Sequence, residues 1–191
     1  MTNDRVMLEI NLPAPAFHLK DIFDREINLK EYHGKKVLVA FFRHAGCPFC
    51  NTRVHSLEKK HKELKAKGLE MIFFFESTKE LLSSSDFHNS ISPIPLIADP
   101  EKTIYARYGV ENSGVKSAKS HIFSLLPKVV EAKLKGLPVH MMEGNESIKT
   151  IPAEFLINER GLVKKIHYAK GLRERMSIDL ITEFAETGNV K

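Results

Sequence analysis

The sequence predicts an α/β sandwich whose mixed central sheet carries helices on both faces. Three observations predict it. Val37-Leu38-Val39-Ala40-Phe41-Phe42 is continuously apolar, as a central strand buried on both sides must be. After Cys50, the residues Val54, Leu57, His61 and Leu64 recur every three to four positions with charges between them, the period of an amphipathic helix. Strand-like and helix-like stretches then alternate, and a pair of strands followed by a helix closes the chain.

The elements follow in order. Residues 1–13 read as a loose lead-in, and Pro13-Ala14-Pro15 sets an extended entry. Phe17-His18-Leu19 and Ile27-Asn28-Leu29, joined by a turn from Asp21 to Glu26, make an N-terminal β-hairpin. His33-Gly34-Lys35-Lys36 turns the chain into the central strand. Gly68 stops the helix that follows Cys50, and Leu69 to Phe75 is the next buried strand. Thr78 to Phe87 reads as a helix with Ser77 as its N-cap. Pro95-Leu96-Ile97-Ala98 is a short strand, and Asp99-Pro100-Glu101 opens a helix ending near Gly109.

Residues 110–149 form an insertion. Its helical stripe runs from Ser117 to Leu134, and Pro127 should kink or split it. Gly136-Leu137-Pro138 ends it, and His140 to Thr150 reads as a loop. Ala153 to Ile157 and Leu162 to Tyr168 are two strands joined by Asn158-Glu159-Arg160-Gly161, and Met176 to Ala185 is the last helix.

At 191 residues with 42% hydrophobic residues, the chain suits one domain with a sizeable core, residues 1–191 as a unit and about 12–186 as its core. The formal charge is +5, but acids run among the lysines, so a solvated helix surface is expected and no nucleic-acid partner. The start lacks the apolar run of a signal peptide, and no run approaches a membrane span. A soluble, cytoplasmic protein with no membrane association is expected. The two cysteines lie too close in sequence to staple a fold, which agrees with a reducing compartment.

Those cysteines carry the chemistry. Phe41-Phe42-Arg43-His44-Ala45-Gly46-Cys47-Pro48-Phe49-Cys50 places a Cys-x-x-Cys directly after a strand and directly before a helix, the setting of a thiol redox site. A helix N-terminus favours a thiolate through its free N–H groups and its dipole. Cys47, at the helix start, is the expected nucleophile. Pro48 fits the first turn, where a missing N–H costs nothing. Cys50, one turn on, is the expected resolving thiol. Arg43 and His44 flank the site, and a cation beside Cys47 lowers its pKa while His44 can shuttle a proton to a leaving thiol. At the end of an alternating strand only one of the two can point at Cys47. A zinc site needs four ligands, and the motif supplies two, so neither metal nor cofactor is expected.

The sequence also resembles a known family. Pro13-Ala14-Pro15-Ala16-Phe17-His18-Leu19 is similar to the Pro-x-Phe-x-Leu opening of the peroxiredoxin-like (AhpC/TSA-related) branch of the thioredoxin-fold superfamily. Residues 27–42 resemble that branch's strand, Gly-Lys turn and apolar strand. Cys47-Pro48-Phe49-Cys50 sits at its active-site position, and Ile151-Pro152-Ala153-Glu154-Phe155-Leu156-Ile157 resembles the segment whose proline is cis and faces the cysteines. The resemblance implies a thioredoxin-like three-layer sandwich. It also implies a thiol oxidoreductase or antioxidant protein that reduces a peroxide or a disulfide through Cys47 and Cys50, re-reduced by a thiol donor such as a thioredoxin or glutathione system. A homodimer is compatible with it.

It further implies a cis Ile151–Pro152 bond that turns the Ile151 backbone toward the cysteines, so that Pro48, Phe49, Ile151 and Pro152 form the substrate-binding surface; a plain strand-entry proline is the alternative. The family pattern Pro-x-x-x-Thr/Ser-x-x-Cys is not kept: Ala40 and His44 stand at the proline and hydroxyl positions. Disulfide or slow peroxide chemistry is therefore expected rather than a fast peroxidase. The alternative is a non-catalytic module that binds a partner through the basic insertion, which carries Lys116, Lys119, Lys128, Lys133 and Lys135. His140-Met141-Met142 reads as core filling before it reads as a substrate groove.

Overall fold

The computed structural model describes residues 7–91, 93–110, 125–139, 146–147 and 149–190. A hairpin of β1 (His18–Lys20) and β2 (Glu26–Asn28) leads through a 3-10 turn (Leu29–Tyr32) into β3 (Lys36–Phe41), and α1 (Pro48–Ala66) follows. Next come β4 (Leu69–Phe75), the short helices α2 (Lys79–Ser83) and α3 (Asp86–Ser90), β5 (Leu96–Ala98) and α4 (Thr103–Arg107). The helix α5 (Leu125–Leu134) precedes β6 (Ala153–Ile157), β7 (Val163–Tyr168) and α6 (Ile178–Thr187).

The main sheet has the order β5-β4-β3-β6-β7. β3 is parallel to β4 and antiparallel to β6, so the sheet is mixed. β3 lies at its centre and every one of its residues is buried. Alternation divides the apolar side chains between two cores. Leu38, Ala40, Phe42, Met71, Phe73 and Phe75 pack on the side that holds α1, α6 and both cysteines. Val37, Val39, Phe41, Ile72 and Phe74 pack on the other, against Phe17, Ile104, Tyr105 and Tyr108. On that second face, Phe41 stacks on Phe74 at 4.8 Å between ring centres and meets Tyr105 edge-on at 5.0 Å.

Several expected boundaries move, each for a local reason. The lead-in is not loose throughout: the Asn11 N–H donates to Val163 and the Val163 N–H to Leu12, which lays residues 11–13 along β7. The single helix expected over 78–87 is two. Thr78, not Ser77, caps the first, and Ser85 caps the second through the His88 N–H, because serine oxygens compete for backbone donors and favour caps over helix interiors. The helix expected from Asp99 begins at Thr103. Asp99 instead accepts from the N–H groups of Thr103, Ile104 and Tyr105, and Lys102 sits at φ 58°. Whether Pro127 kinks or splits the expected 117–134 stripe lies with residues outside the described ones, and within α5 it is the third residue, a first-turn position that tolerates proline. The rest of the expected 117–134 stripe, Lys116, Lys119 and His140-Met141-Met142 lie outside the described residues. Among the described residues no helix is long and apolar enough to cross a membrane.

Candidate active site

The site is assembled where β3 runs out. After Phe41 the chain leaves the sheet, and the Phe42 N–H still donates to Phe74 while its carbonyl accepts from the Tyr105 hydroxyl at 2.5 Å. The Glu76 N–H donates to the Arg43 carbonyl at 3.3 Å, so the chain past both strand ends is tied together. The turn His44 to Cys47 closes with the Cys47 N–H on the His44 carbonyl at 3.0 Å. The Ala45 N–H donates to Ser77 Oγ at 2.7 Å. Asn51 Nδ2 donates both to the Ala45 carbonyl at 2.6 Å and to the Pro138 carbonyl at 2.8 Å. The loop in front of Cys47 is thereby held from three directions.

Cys47 is the N-cap of α1 and Pro48 its first residue. The cap position leaves the sulfur at the end of the helix where free N–H groups gather. Both cysteines are free thiols and both are fully buried. Burial alone would push the Cys47 thiol up. The Cys50 thiol, the Arg43 guanidinium, the Cys50 N–H and the Arg175 guanidinium together bring it down, to about 6. Cys50 moves the opposite way: burial, its hydrogen bond to Cys47 and the neighbouring thiolate raise it. The two sulfurs thus differ sharply in acidity although they are chemically identical in the unfolded chain.

Of the two flanking residues it is Arg43 that addresses the thiols. Its Nη1 lies 3.8 Å from Cys47 Sγ, and its backbone N–H donates to Cys50 Sγ at 3.3 Å. His44 turns away, with Nδ1 3.7 Å from the Glu146 carboxylate, which also accepts from Ser77 Oγ. Phe49 and Ile151 belong to the same apolar cluster as Cys47 and Cys50, and Pro152 is buried.

The cis Ile151–Pro152 bond does not occur: every described peptide bond is trans. The reason lies in the sheet. Ala153 already pairs with Phe41 on one side, and the Pro152 carbonyl accepts from the Ala169 N–H on the other at 3.1 Å. Pro152, just ahead of β6, therefore has its carbonyl engaged by the chain beyond β7.

A cleft of about 480 Å³ opens beside the motif. Phe49, Thr52 and Ser56 of α1 form one wall, Pro127 and Lys128 of α5 another, and Leu172, Arg173 and Arg175 the third. Beneath it Arg53 grips Glu154 with two hydrogen bonds, at 2.7 and 3.0 Å, and donates to the Met176 carbonyl, while the Met176 N–H donates back to Glu154. Arg175, Asn51, Ser77 and Glu146 carry no sequence signal that marks them as site residues. Arg175, Ser77 and Glu146 are single polar residues far from Cys47 in the chain, brought there only by the fold, and Asn51, one position past Cys50, is a lone amide in the first turns of α1. Among the described residues no three His, Cys, Asp or Glu side chains converge as a metal centre requires.

The comparisons with known proteins agree with this geometry. The putative peroxiredoxin bcp of Haemophilus influenzae is 27% identical over 103 residues, 54% of this chain and 66% of that protein. Peroxiredoxin Bcp of Escherichia coli is 28% identical over 97 residues, 51% of this chain and 62% of that protein. The matched stretch is thus a little under two thirds of either relative's length. The thiol-disulfide oxidoreductase ResA of Halalkalibacterium halodurans is 28% identical over 183 residues, 96% of this chain and 79% of that protein. Peroxidoxin BcpB of Mycobacterium tuberculosis, a crystal structure, superposes with a TM-score of 0.62 over 94% of both chains at 14% identity, which establishes a shared thioredoxin-like fold. A sequence model of the AhpC/TSA family matches residues 10–166, from the lead-in through both cysteines and six strands into β7, and the chain belongs to that family.

Proposed function

We propose that this protein is a thiol oxidoreductase of the peroxiredoxin-like type, in which Cys47 attacks and Cys50 resolves. One observation carries the proposal: two buried thiols one helical turn apart are driven in opposite directions, Cys47 down to about 6 and Cys50 up. At neutral pH this makes one sulfur a thiolate and keeps the other a proton-bearing reserve, which is the division of labour a dithiol needs. Arg43 holds the thiolate. His44 is held against Glu146 rather than against the thiols and is assigned no direct proton transfer to them, and Phe49 and Ile151 form the apolar surroundings of the reacting sulfur.

The steps balance. With a hydroperoxide ROOH, the Cys47 thiolate takes the distal oxygen: the O–O bond breaks, Cys47 becomes a sulfenic acid, and ROH leaves once protonated. Cys50 then attacks the sulfenic sulfur, the Cys47–Cys50 bond forms, and water leaves. With a disulfide, Cys47 forms a mixed disulfide and expels one thiol, and Cys50 expels the second. Either cycle consumes two electrons from the dithiol, which a thiol donor such as a thioredoxin or glutathione system restores.

His44 in place of a hydroxyl supports disulfide or slow peroxide turnover. The reading places the protein in a reducing, cytoplasmic setting, as one unit over residues 1–191 with 110–149 as its insertion, and a homodimer is compatible with it. Mass spectrometry after one equivalent of oxidant tests it. Wild type should lose two hydrogens within one chain. Cys50→Ser should trap a sulfenic acid or mixed disulfide on Cys47. A Cys47–Cys47 link between chains, or no oxidation by any peroxide or disulfide, overturns it.

A further inference from the structure

The cleft beside the motif has a lining whose charges do not cancel. Arg53 is matched by Glu154. Lys128 is matched by Glu131, whose carboxyl the hydrogen bonds from Lys128 and Lys135 hold down to about 2. Arg173 and Arg175 remain, and among the described residues neither has a carboxylate within ion-pair distance. Glu174, between them, is turned aside to accept from the Lys170 N–H at 2.6 Å. Arg175 donates from Nη1 to the Glu174 carbonyl at 2.6 Å, and its Nε and Nη2 are buried without an acceptor among the described residues. A buried guanidinium N–H left unpaired is costly, and Nε with one Nη is the edge of the fork that takes a carboxylate with two parallel bonds. Phe49, Pro127 and Leu172 supply an apolar lining next to that edge. The volume falls within the usual range for a small-molecule site.

We propose that this cleft recognises the oxidant by a carboxylate, bound to Arg175 with Arg173 beside it, while the oxidant's organic part lies on Phe49 and Leu172 and its reacting end is directed at Cys47. The inference rests on the dithiol reading above. It adds a substrate class: hydroperoxides or low-molecular-weight disulfides that carry a carboxylate, in preference to neutral ones of the same size. Phe49 belongs to the Cys-x-x-Cys itself, so a ligand in the cleft touches the motif directly. Both sulfurs are fully buried and do not themselves line the cleft, so the Phe49 side chain must move for the reacting end to reach them.

The test is the ratio of second-order rates at which reduced protein loses its alkylatable Cys47 thiol, measured with matched pairs of oxidants. One pair is a carboxyl-bearing alkyl hydroperoxide and its methyl ester. The other is glutathione disulfide and its tetraethyl ester. Wild type should favour the acid over the ester by about tenfold or more in at least one pair, and the pair that shows it tells whether the carboxylate arrives on a peroxide or on a peptide disulfide. In Arg175→Gln that ratio should fall to near one. Because Arg175 also acidifies Cys47, all rates in that variant fall together, and the ratio removes this common factor.

Binding is read separately, by calorimetry on Cys47→Ser with S-methylglutathione and with hexanoate as probes that cannot be reduced. A ratio near one in wild type, or a ratio unchanged in Arg175→Gln, overturns the cleft assignment while leaving the dithiol reading intact. If no oxidant reacts but a carboxylate probe binds and Arg175→Gln abolishes that binding, the dithiol reading fails and carboxylate recognition by the cleft stands. If no oxidant reacts and neither probe binds, both fail.

Discussion

At Cys47 a thiol, a backbone N–H and two guanidinium groups act on one buried sulfur, and the balance of these against burial decides its charge. Alkylation rate against pH on the reduced wild-type dithiol, with the modified cysteine identified by mass spectrometry, should therefore give a midpoint near 6 for Cys47 and one well above the ordinary thiol value of about 8.5 for Cys50. A Cys47 midpoint at the free-thiol value would remove the activation argument. Arg43→Gln should raise the Cys47 midpoint by about one pH unit or more, since it removes the guanidinium 3.8 Å from the sulfur. His44→Gln should move it far less, because that ring faces Glu146. Residues 43 and 44 show what a sequence conveys at this scale. Their adjacency to the motif is plain, and strand alternation says that one faces the thiols, but which one depends on how the chain leaves β3. Arg175 was not legible at all, since neither the spacing nor the type of a single distant polar residue encodes a contact, and Asn51, although next to Cys50, gave no sign of its bonds to the Ala45 and Pro138 carbonyls.

At the scale of elements, the pair Arg53–Glu154 ties the second turn of α1 to β6, directly beside the strand that ends at the site. Both side chains are more than nine-tenths buried, so removing one leaves a charge without its partner. Glu154→Ala should destabilise the protein by about 3–5 kcal/mol, whereas the double replacement Arg53→Met with Glu154→Leu should cost much less. Urea unfolding of the three proteins compares them. Strands and the long helix were legible because burial on two faces and a 3.6-residue period leave strong patterns, as in Val37 to Phe42 and Val54 to Leu64. The short helices were not. Over 78–90, three consecutive serines offer caps that override a continuous period, and at Asp99 a side chain takes the N–H groups that a sequence reading gives to helix backbone. Glu154 itself sat inside an apolar strand as an unexplained carboxylate until its partner, a hundred residues away, was placed.

Across the whole molecule the acidity of Cys47 is coupled to folding. A thiol that ionises at 9.0 when unfolded and at about 6 when folded adds nothing to stability below the lower value. It adds progressively more as pH rises between them, and it reaches its full contribution above the upper one. Cys50, raised in the folded state, works against folding once the unfolded thiol ionises. The reduced protein should therefore gain stability from about pH 6 to pH 8, by about 2 kcal/mol, and the raised Cys50 should offset any further gain above the unfolded thiol value. Cys47→Ser should abolish the rise, and thermal melts under reducing conditions follow it directly. The overall architecture was readable because element order and connection rules admit few α/β sandwiches. The geometry at Pro152 was not, since the same residues serve either as an open lip at the site or as an interior rung of the sheet. At Pro152 the second holds in part: proline has no N–H to offer, and its carbonyl, one residue before β6, is taken by Ala169. An oxidoreductase that must hold any extended polypeptide, whatever its sequence, needs a spare row of main-chain donors and acceptors beside its sulfur. At Pro152 the one main-chain acceptor is already taken, so on the proposed reading this residue offers no main-chain bond to an extended substrate, and selection there is left to side chains such as those of the cleft.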